Sequence, residues 1–279
     1  MLYKKILTIQ DISCVGQCSL TVALPILSAC GVETCILPSA VLSTHTAGFT
    51  GFTVRDLTED MPAIKNHWLK EGIRFDAIYT GYLGSFRQIE LVEEMFEKLG
   101  GENTLLVVDP AMADHGKLYY GFTEEFAARM AQLCGKADLI LPNLTEASFM
   151  LKRPYNENYT QDDIRGMLRD LCALGAKRAA LTGVSYEKGK VGFEMYDATT
   201  DTFSSYFGEH LPVAFHGTGD IFASACVGAI ARGNSIEEAL KVAVDYTYQC
   251  VRVTMEDPNH RTYGVNFEEA IPYLVERLK

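Results

Sequence analysis

Between Lys4 and Thr182, short apolar runs alternate with longer segments of helical period, and that alternation leaves few architectures open. Lys4–Ile9, Thr34–Leu37, Phe75–Tyr79, Thr104–Val108, Asp138–Leu141 and Arg178–Thr182 read as buried strands. Pro38 is expected to break the second of these. Between them, Cys18–Cys30, Asp56–Lys70, Gln88–Leu99, Thr123–Leu133 and Asp162–Leu174 have helical periodicity, and a short helix opens around Asn143. Gly31, Gly72 and Gly100 follow the first three, and Thr123 is a natural cap with Glu124 and Glu125 in the first turn behind it. Strands separated by helices imply a three-layer α/β/α fold with a mostly parallel central sheet. Gly189–Phe207 alternates and carries aromatics, which predicts an antiparallel hairpin. A helix after Gly217, then Ser235–Val253 and Phe267–Leu278, complete the reading. In such sheets ligands bind beyond the carboxyl ends of the strands, which gathers Asp11, Gly81, Asp109 and Asn143 on one rim.

No linker, charge block or repeat divides the 279 residues, of which 48% are hydrophobic, so one domain over residues 1–279 is expected. The formal net charge of −11 disfavours nucleic acid as a partner. It leaves anionic small molecules open, because local amides and metal ions overcome a global field. The start MLYKKILTIQ is basic and then apolar, but the run ends at Gln10 and Asp11 with no cleavage signal, and no segment reaches membrane-spanning length. A cytoplasmic protein without a membrane partner is expected. The eight cysteines include no C-x-x-C pair and read as reduced core or near-core thiols.

P-loop, G-x-G-x-x-G, G-x-S-x-G and H-E-x-x-H patterns are all missing. Three constellations remain. The first is HGTGDIFASACVGAI, His216–Ile230, where Gly217 and Gly219 would let the backbone adopt unusual dihedrals at the start of a helix. The orphan amides of Gly217, Thr218 and Gly219 would face an anion, with the Asp220 carboxylate beside it. As a tetrapeptide GTGD is more often a capped turn. Its continuation through Ala223, Ser224, Ala225, Gly228 and Ala229, small residues that allow close helix packing, shifts the weight toward a fixed phosphate site. The second is PNLTEA, Pro142–Ala147, where Asn143 and Glu146 share a helix face and read either as a Mg²⁺ site acting partly through water or as a capping box. The third is DPAMADHG, Asp109–Gly116, an acidic pair at a strand end or a charged surface turn.

Taken together with KILTIQD, STHTAGFTG (Ser43–Gly51) and TGYLGS (Thr80–Ser85), these segments occur in the order seen in pyridoxal kinases of the ribokinase superfamily. The chain resembles that family from residue 4 to about residue 255. GTGD marks only the superfamily, whereas THT with GYLGS is far more specific to the pyridoxal kinase branch. The resemblance implies a ribokinase-like fold without a separate lid domain. It also implies ATP-dependent phosphorylation of the 5′-hydroxymethyl group of vitamin B6 vitamers.

By that resemblance Asp220 is the general base, and Gly217, Thr218 and Gly219 hold the developing charge. Asp109, Asp114, Asn143, Glu146 and Thr182 bind ATP, and Asp109 and Glu146 organise Mg²⁺, partly through water. The loop from Asp114 to Gly121 matches a flap over ATP, with Gly116 and Gly121 as hinges. Thr46 and Tyr82 line the pyridine pocket, and His45 is assigned no chemistry. The family implies a homodimer and leaves K⁺ open as a second cation. Two positions depart from the pattern: Asp11, a substrate-binding position, stands where the family commonly has a serine that contacts the polar edge of the pyridine ring, and Leu141 where a hydroxyl residue often precedes Pro-Asn. A carboxylate at residue 11 would favour a cationic vitamer such as pyridoxamine. Leu141 removes a phosphate contact. The rival readings are a hydroxymethylpyrimidine kinase of the same fold and a non-catalytic vitamin sensor. A sugar kinase is disfavoured because no lid segment is visible between the second and third strands.

Overall fold

The computed structural model describes residues 4–279. In chain order the elements are β1 (Lys5–Ser13), α1 (Leu20–Ala29), β2 (Glu33–Leu42), β3 (Val54–Asp56), α2 (Met61–Lys70), β4 (Ala77–Thr80) and α3 (Phe86–Leu99). There follow β5 (Leu105–Val108), β6 (Ala113–Asp114), β7 (Lys117–Leu118), α4 (Glu124–Cys134), β8 (Leu139–Ile140), α5 (Leu144–Met150) and α6 (Gln161–Ala173). The chain closes with β9 (Arg178–Val184), β10 (Lys190–Asp197), β11 (Thr202–Glu209), α7 (Thr218–Ala231), α8 (Ile236–Glu256) and α9 (Phe267–Arg277).

A nine-stranded sheet runs β11-β10-β9-β8-β5-β4-β1-β2-β3. The strands from β9 to β2 in that order are parallel, while β10, β11 and β3 are antiparallel additions at the two edges. Alternate residues of each strand feed two cores. Leu7, Ile9, Ile78 and Val108 pack under α2 to α6, and Ile6, Ala77, Tyr79 and Val107 under α1, α7, α8 and α9. This is the expected three-layer architecture, and the predicted hairpin is β10–β11. β3 pairs into the main sheet, so no separate lid sheet forms between β2 and β4 among the described residues. None of the described helices is long and apolar enough to cross a membrane.

Three boundaries differ from expectation. β1 runs on to Ser13, so Asp11 lies within the strand rather than after it. β2 passes through Pro38 unbroken; Pro38 pairs with Gln10 next to the shift in the β1–β2 register, an irregularity at which a strand proline is tolerated. The helix expected from Asp56 begins at Met61. Asp56 instead ends β3, its carboxylate accepting a 2.7 Å bond from the Thr58 N–H, and Pro62 occupies the first turn of α2, where a proline is tolerated. Cys14 is exposed, unlike the five buried cysteines.

The carboxyl ends of the central strands are locked side by side. The Gly81 N–H donates to the Ile9 carbonyl (3.2 Å), Asp109 to Thr80 (2.9 Å) and Leu141 to Val108 (3.0 Å). The strand order reverses direction about β1, between β2 and β4, while the crevice in the structure opens beyond the carboxyl ends of β5, β8 and β9.

Candidate active site

The α7 start, the β6–β7 hairpin, the α5 cap and one face of α8 enclose a cavity of about 370 Å³ at this rim. α7 begins from a left-handed residue. Gly217, its N-cap, has φ of +83°, and a Cβ there would lie 1.8 Å from the Gln17 carbonyl oxygen. Only glycine fits, because the first loop and the helix start meet backbone to backbone. Gly219 serves differently from expectation. It lies inside the first turn of α7, and a side chain there would meet nothing within 4 Å, so what it supplies at the cavity wall is open space. The small residues that follow do permit close packing, since a Cβ at Gly228 would fall 2.4 Å from the Cys30 sulfur of α1's C-cap.

Asp220 faces the cavity from the first turn of α7. Its Oδ2 accepts a 2.9 Å hydrogen bond from the Ser19 N–H, and no donor among the described residues reaches Oδ1. Burial raises its carboxyl from the ordinary 3.8 to about 7; the Ser19 bond opposes that shift and the charge of Asp11 adds to it. Ser19 was not singled out from the sequence. It is the N-cap of α1 with φ 54° and ψ −134°, a conformation that costs a non-glycine residue on the order of 1–3 kcal/mol. Its hydroxyl makes no capping bond and donates instead to Asp11 Oδ1 at 2.5 Å.

Asp109 follows β5, is 7% exposed, and receives no hydrogen bond at its carboxylate from the described residues. Burial, then the neighbouring charges of Glu146 and Asp220, push its carboxyl well above the usual range. Asn143 and Glu146 realise the capping box: Asn143 Oδ1 accepts from the Glu146 N–H and Glu146 Oε2 from the Asn143 N–H, both at 2.9 Å. They also anchor the hairpin. Met112 N–H donates to Glu146 Oε1 (3.1 Å), Asn143 Nδ2 to the Ala113 carbonyl (2.9 Å), and Gly116 N–H to Thr145 Oγ1 (3.0 Å). His115 (φ 49°) and Gly116 (φ 75°) form the hairpin tip, both left-handed as a two-residue turn of this hand requires. Gly116 is braced by Tyr155, whose ring would meet a Cβ at 2.9 Å, while Gly121 (φ 86°) has open space around it.

The cavity thus brings together Asp109, Asp114, Asn143, Glu146, Thr182, Gly217, Thr218, Gly219 and Asp220. Leu141 lines it too, where a hydroxyl was missed in the sequence. Asp11, Thr46 and Tyr82 are not in its wall. Asp11 is 4% exposed, with Oδ2 accepting from Ser13 (3.0 Å) as well as Oδ1 from Ser19. Tyr82 lies against Phe122, the ring centroids 5.4 Å apart and the rings tilted by 33°, and burial, then the charges of Asp11 and Asp56, raises its phenol. Thr46 is exposed. Neighbouring His45 is buried against Gly16, with Nε2 bonded to the Tyr263 carbonyl at 2.9 Å. Sequence reading missed the α8 contribution of Val244, Thr247, Tyr248 and Val251; their three- and four-residue spacing marks one helix face but not what that face meets.

Carboxylates line this cavity at Asp109, Asp114, Glu146, Glu209 and Asp220, with no lysine or arginine among the lining residues. A polyanion therefore needs a cation to enter. No group of three or more His, Cys, Asp or Glu among the described residues would hold a metal unaided. The set does fit Mg²⁺, which binds through one or two carboxylates, water and substrate phosphates: Asp109 offers unengaged oxygens, and Glu146, whose oxygens already accept backbone bonds, is suited to contact through water.

Comparison with known proteins bears on this geometry. A candidate phosphomethylpyrimidine kinase of Bacteroides thetaiotaomicron, crystallised with pyridoxal, superposes with a TM-score of 0.92 at 37% identity, covering 98% of this chain and 96% of the other. The pyridoxal kinase of Lactobacillus plantarum gives 0.90 at 31% identity, over 98% and 97%. The pyridoxine kinase of Bacillus subtilis is 29% identical over 66% of each chain. The family model for phosphomethylpyrimidine kinase matches residues 24–266. The chain is therefore a kinase of the phosphomethylpyrimidine kinase family, within the ribokinase-like superfamily that includes the pyridoxal kinases.

Proposed function

We propose that this kinase transfers the γ-phosphoryl group of ATP to the 5′-hydroxymethyl group of a vitamin B6 vitamer, with Asp220 as general base. One juxtaposition carries the reading: the Asp220 carboxylate, one oxygen unengaged, shares a cavity with the opening amides of α7. In the step, the acceptor oxygen bonds to the γ-phosphorus while its proton passes to Asp220. The bond from that phosphorus to the bridging oxygen breaks, and ADP leaves with the electron pair. Charge on the phosphoryl oxygens is met by the amides of Gly217, Thr218 and Gly219 at the positive end of α7. Mg²⁺, held by Asp109 and through water by Glu146, would supply the positive charge that the triphosphate requires.

The lining offers both kinds of group a nucleotide needs: Val213, Phe215, Val244 and Val251 are apolar and suit the base, and Asp114, Asn143 and Thr182 are polar and suit the phosphates and their cation. The hairpin tied to the α5 cap supplies Asp114, and Tyr119 just after it also reaches the wall.

The acceptor class rests on STHTAGFTG and TGYLGS, with Thr46 and Tyr82 contributing to the pyridine pocket, and is supported by the pyridoxal-bound relative. Asp11, a carboxylate where serine is common, favours a cationic vitamer. The description of the matching family model supports a second reading, phosphorylation of a hydroxymethylpyrimidine by the same chemistry. Purified protein with Mg-ATP and a panel of pyridoxal, pyridoxine, pyridoxamine and hydroxymethylpyrimidine, with products read by mass, decides between them. Phosphorylated vitamers with little pyrimidine product are expected. Preferential pyrimidine phosphate selects the second reading, and no product at all leaves a vitamin sensor.

A further inference from the structure

We propose that Asp11 and Ser19 form a positioning pair that holds the Asp220 carboxylate in line with the acceptor hydroxyl. The proposal rests on the reading of Asp220 as base. Ser19 carries two local disadvantages at once. Its backbone is left-handed at φ 54°, and its hydroxyl leaves α1 uncapped although Ser19 is the N-cap. Such features persist when the surroundings over-determine them, and they cluster where function needs them. Here the surroundings are explicit. The Ser19 hydroxyl is held by Asp11 Oδ1 at 2.5 Å, and the backbone so fixed sends its N–H to Asp220 Oδ2 at 2.9 Å. A second hydroxyl, from Ser13, fixes the other oxygen of Asp11 at 3.0 Å. The chain of contacts thus runs from a rigid strand, through a strained residue, to the carboxylate that faces the cavity. It engages one Asp220 oxygen and leaves the other for the acceptor.

Asp11 is 4% exposed and absent from the cavity wall, so its part in this is through Ser19 and not by touching the reacting atoms. The choice of carboxylate over serine at this position gains a reason: a carboxylate accepts from Ser13 and Ser19 simultaneously, one per oxygen. Loss of the pair would leave ATP binding in place and reduce the fraction of bound complexes with a productively oriented base.

Steady-state kinetics on the full-length chain provide the test, with Ser19→Ala, Asp11→Ala, their double variant, and Ser19→Ala in an Asp220→Asn background. Each single variant should lower kcat roughly tenfold while KM for ATP stays within about twofold. The double variant should be no slower than the singles, and Ser19→Ala should cost nothing further once Asp220 is Asn. Thermal midpoints and nucleotide titrations establish that each variant is folded. Ser19→Gly adopts the left-handed backbone freely but lacks the tether, and it too should be slow. Multiplicative losses in the double variant, a loss confined to KM, a further loss in the Asp220→Asn background, or wild-type kcat in Ser19→Gly would overturn the proposal. If Asp220→Asn is inactive while the Ser19 variants turn over normally, the pair alone falls. If Asp220→Asn itself turns over normally, the base assignment falls and the pair with it.

Discussion

Asp220 sits in the folded chain with a carboxyl that titrates near 7 instead of 3.8, chiefly because it is buried. Between those values the folded state holds a proton that the unfolded chain has released. The unfolded state therefore binds fewer protons, and stability falls as pH rises across that window and does not recover above it. Asp220→Asn removes the titration, so calorimetry should give a larger gain in Tm over wild type at pH 8 than at pH 5. The same substitution should reduce kcat by ~10²–10⁴ with ATP still bound, and the acid limb of the wild-type kcat/KM profile should fall near pH 7. Full turnover in Asp220→Asn would remove the base assignment. Asp11 carries a separate prediction. Asp11→Ser should lower kcat/KM for pyridoxamine relative to pyridoxal, a ratio blind to any loss common to both, and an unchanged ratio would remove its role in selectivity.

α7 concentrates what was legible in the sequence. Gly-Thr-Gly-Asp followed by small residues marked a close-packed helix, and the element forms over Thr218–Ala231. Its two glycines differ, however, and should respond differently. Gly217→Ala drives a Cβ to 1.8 Å from a backbone oxygen, so loss of soluble folded protein or a large drop in Tm is expected. Gly219→Ala meets nothing in the protein, so Tm should hold while KM for ATP rises, as followed by titration and initial rates. Other elements escaped for physical reasons. Pro38 reads as a breaker in isolation and is tolerated next to a shift in register with the partner strand. The α2 start was set too early because an apolar period does not reveal that Asp56 closes a turn onto Thr58. Of the two readings of PNLTEA, the structure shows the capping box. The cap is made, and the capping residues are also the hairpin's anchor on the cavity wall.

Across the whole molecule the net charge is −11, and the cavity repeats that sign locally, with carboxylates on its wall and no lysine or arginine. Free ATP should therefore bind poorly. Titration calorimetry in chelator should weaken ATP binding by more than about tenfold relative to excess Mg²⁺, and equal affinity in both conditions would contradict the cation requirement. The parallel sheet and its rim were readable from strand–helix alternation because that pattern is local. The pairing of Ser19 with Asp220 was not, since 201 residues separate them.

That separation has a consequence for how the protein is made. Synthesis runs from the amino end, and the loop before α1 emerges long before α7 does. The sheet from β1 through β9 is available to assemble while residue 220 is still inside the ribosome tunnel or not yet added to the chain. Gly217 then has to seat its backbone against Gln17, and Gly264 its own against the Gln17 side chain, with Gln17 Nε2 bonded to Glu268 at 3.0 Å. Closure of the site is thus a late, long-range event of folding, and a nascent chain carries every strand of the scaffold before it carries the carboxylate proposed as the base.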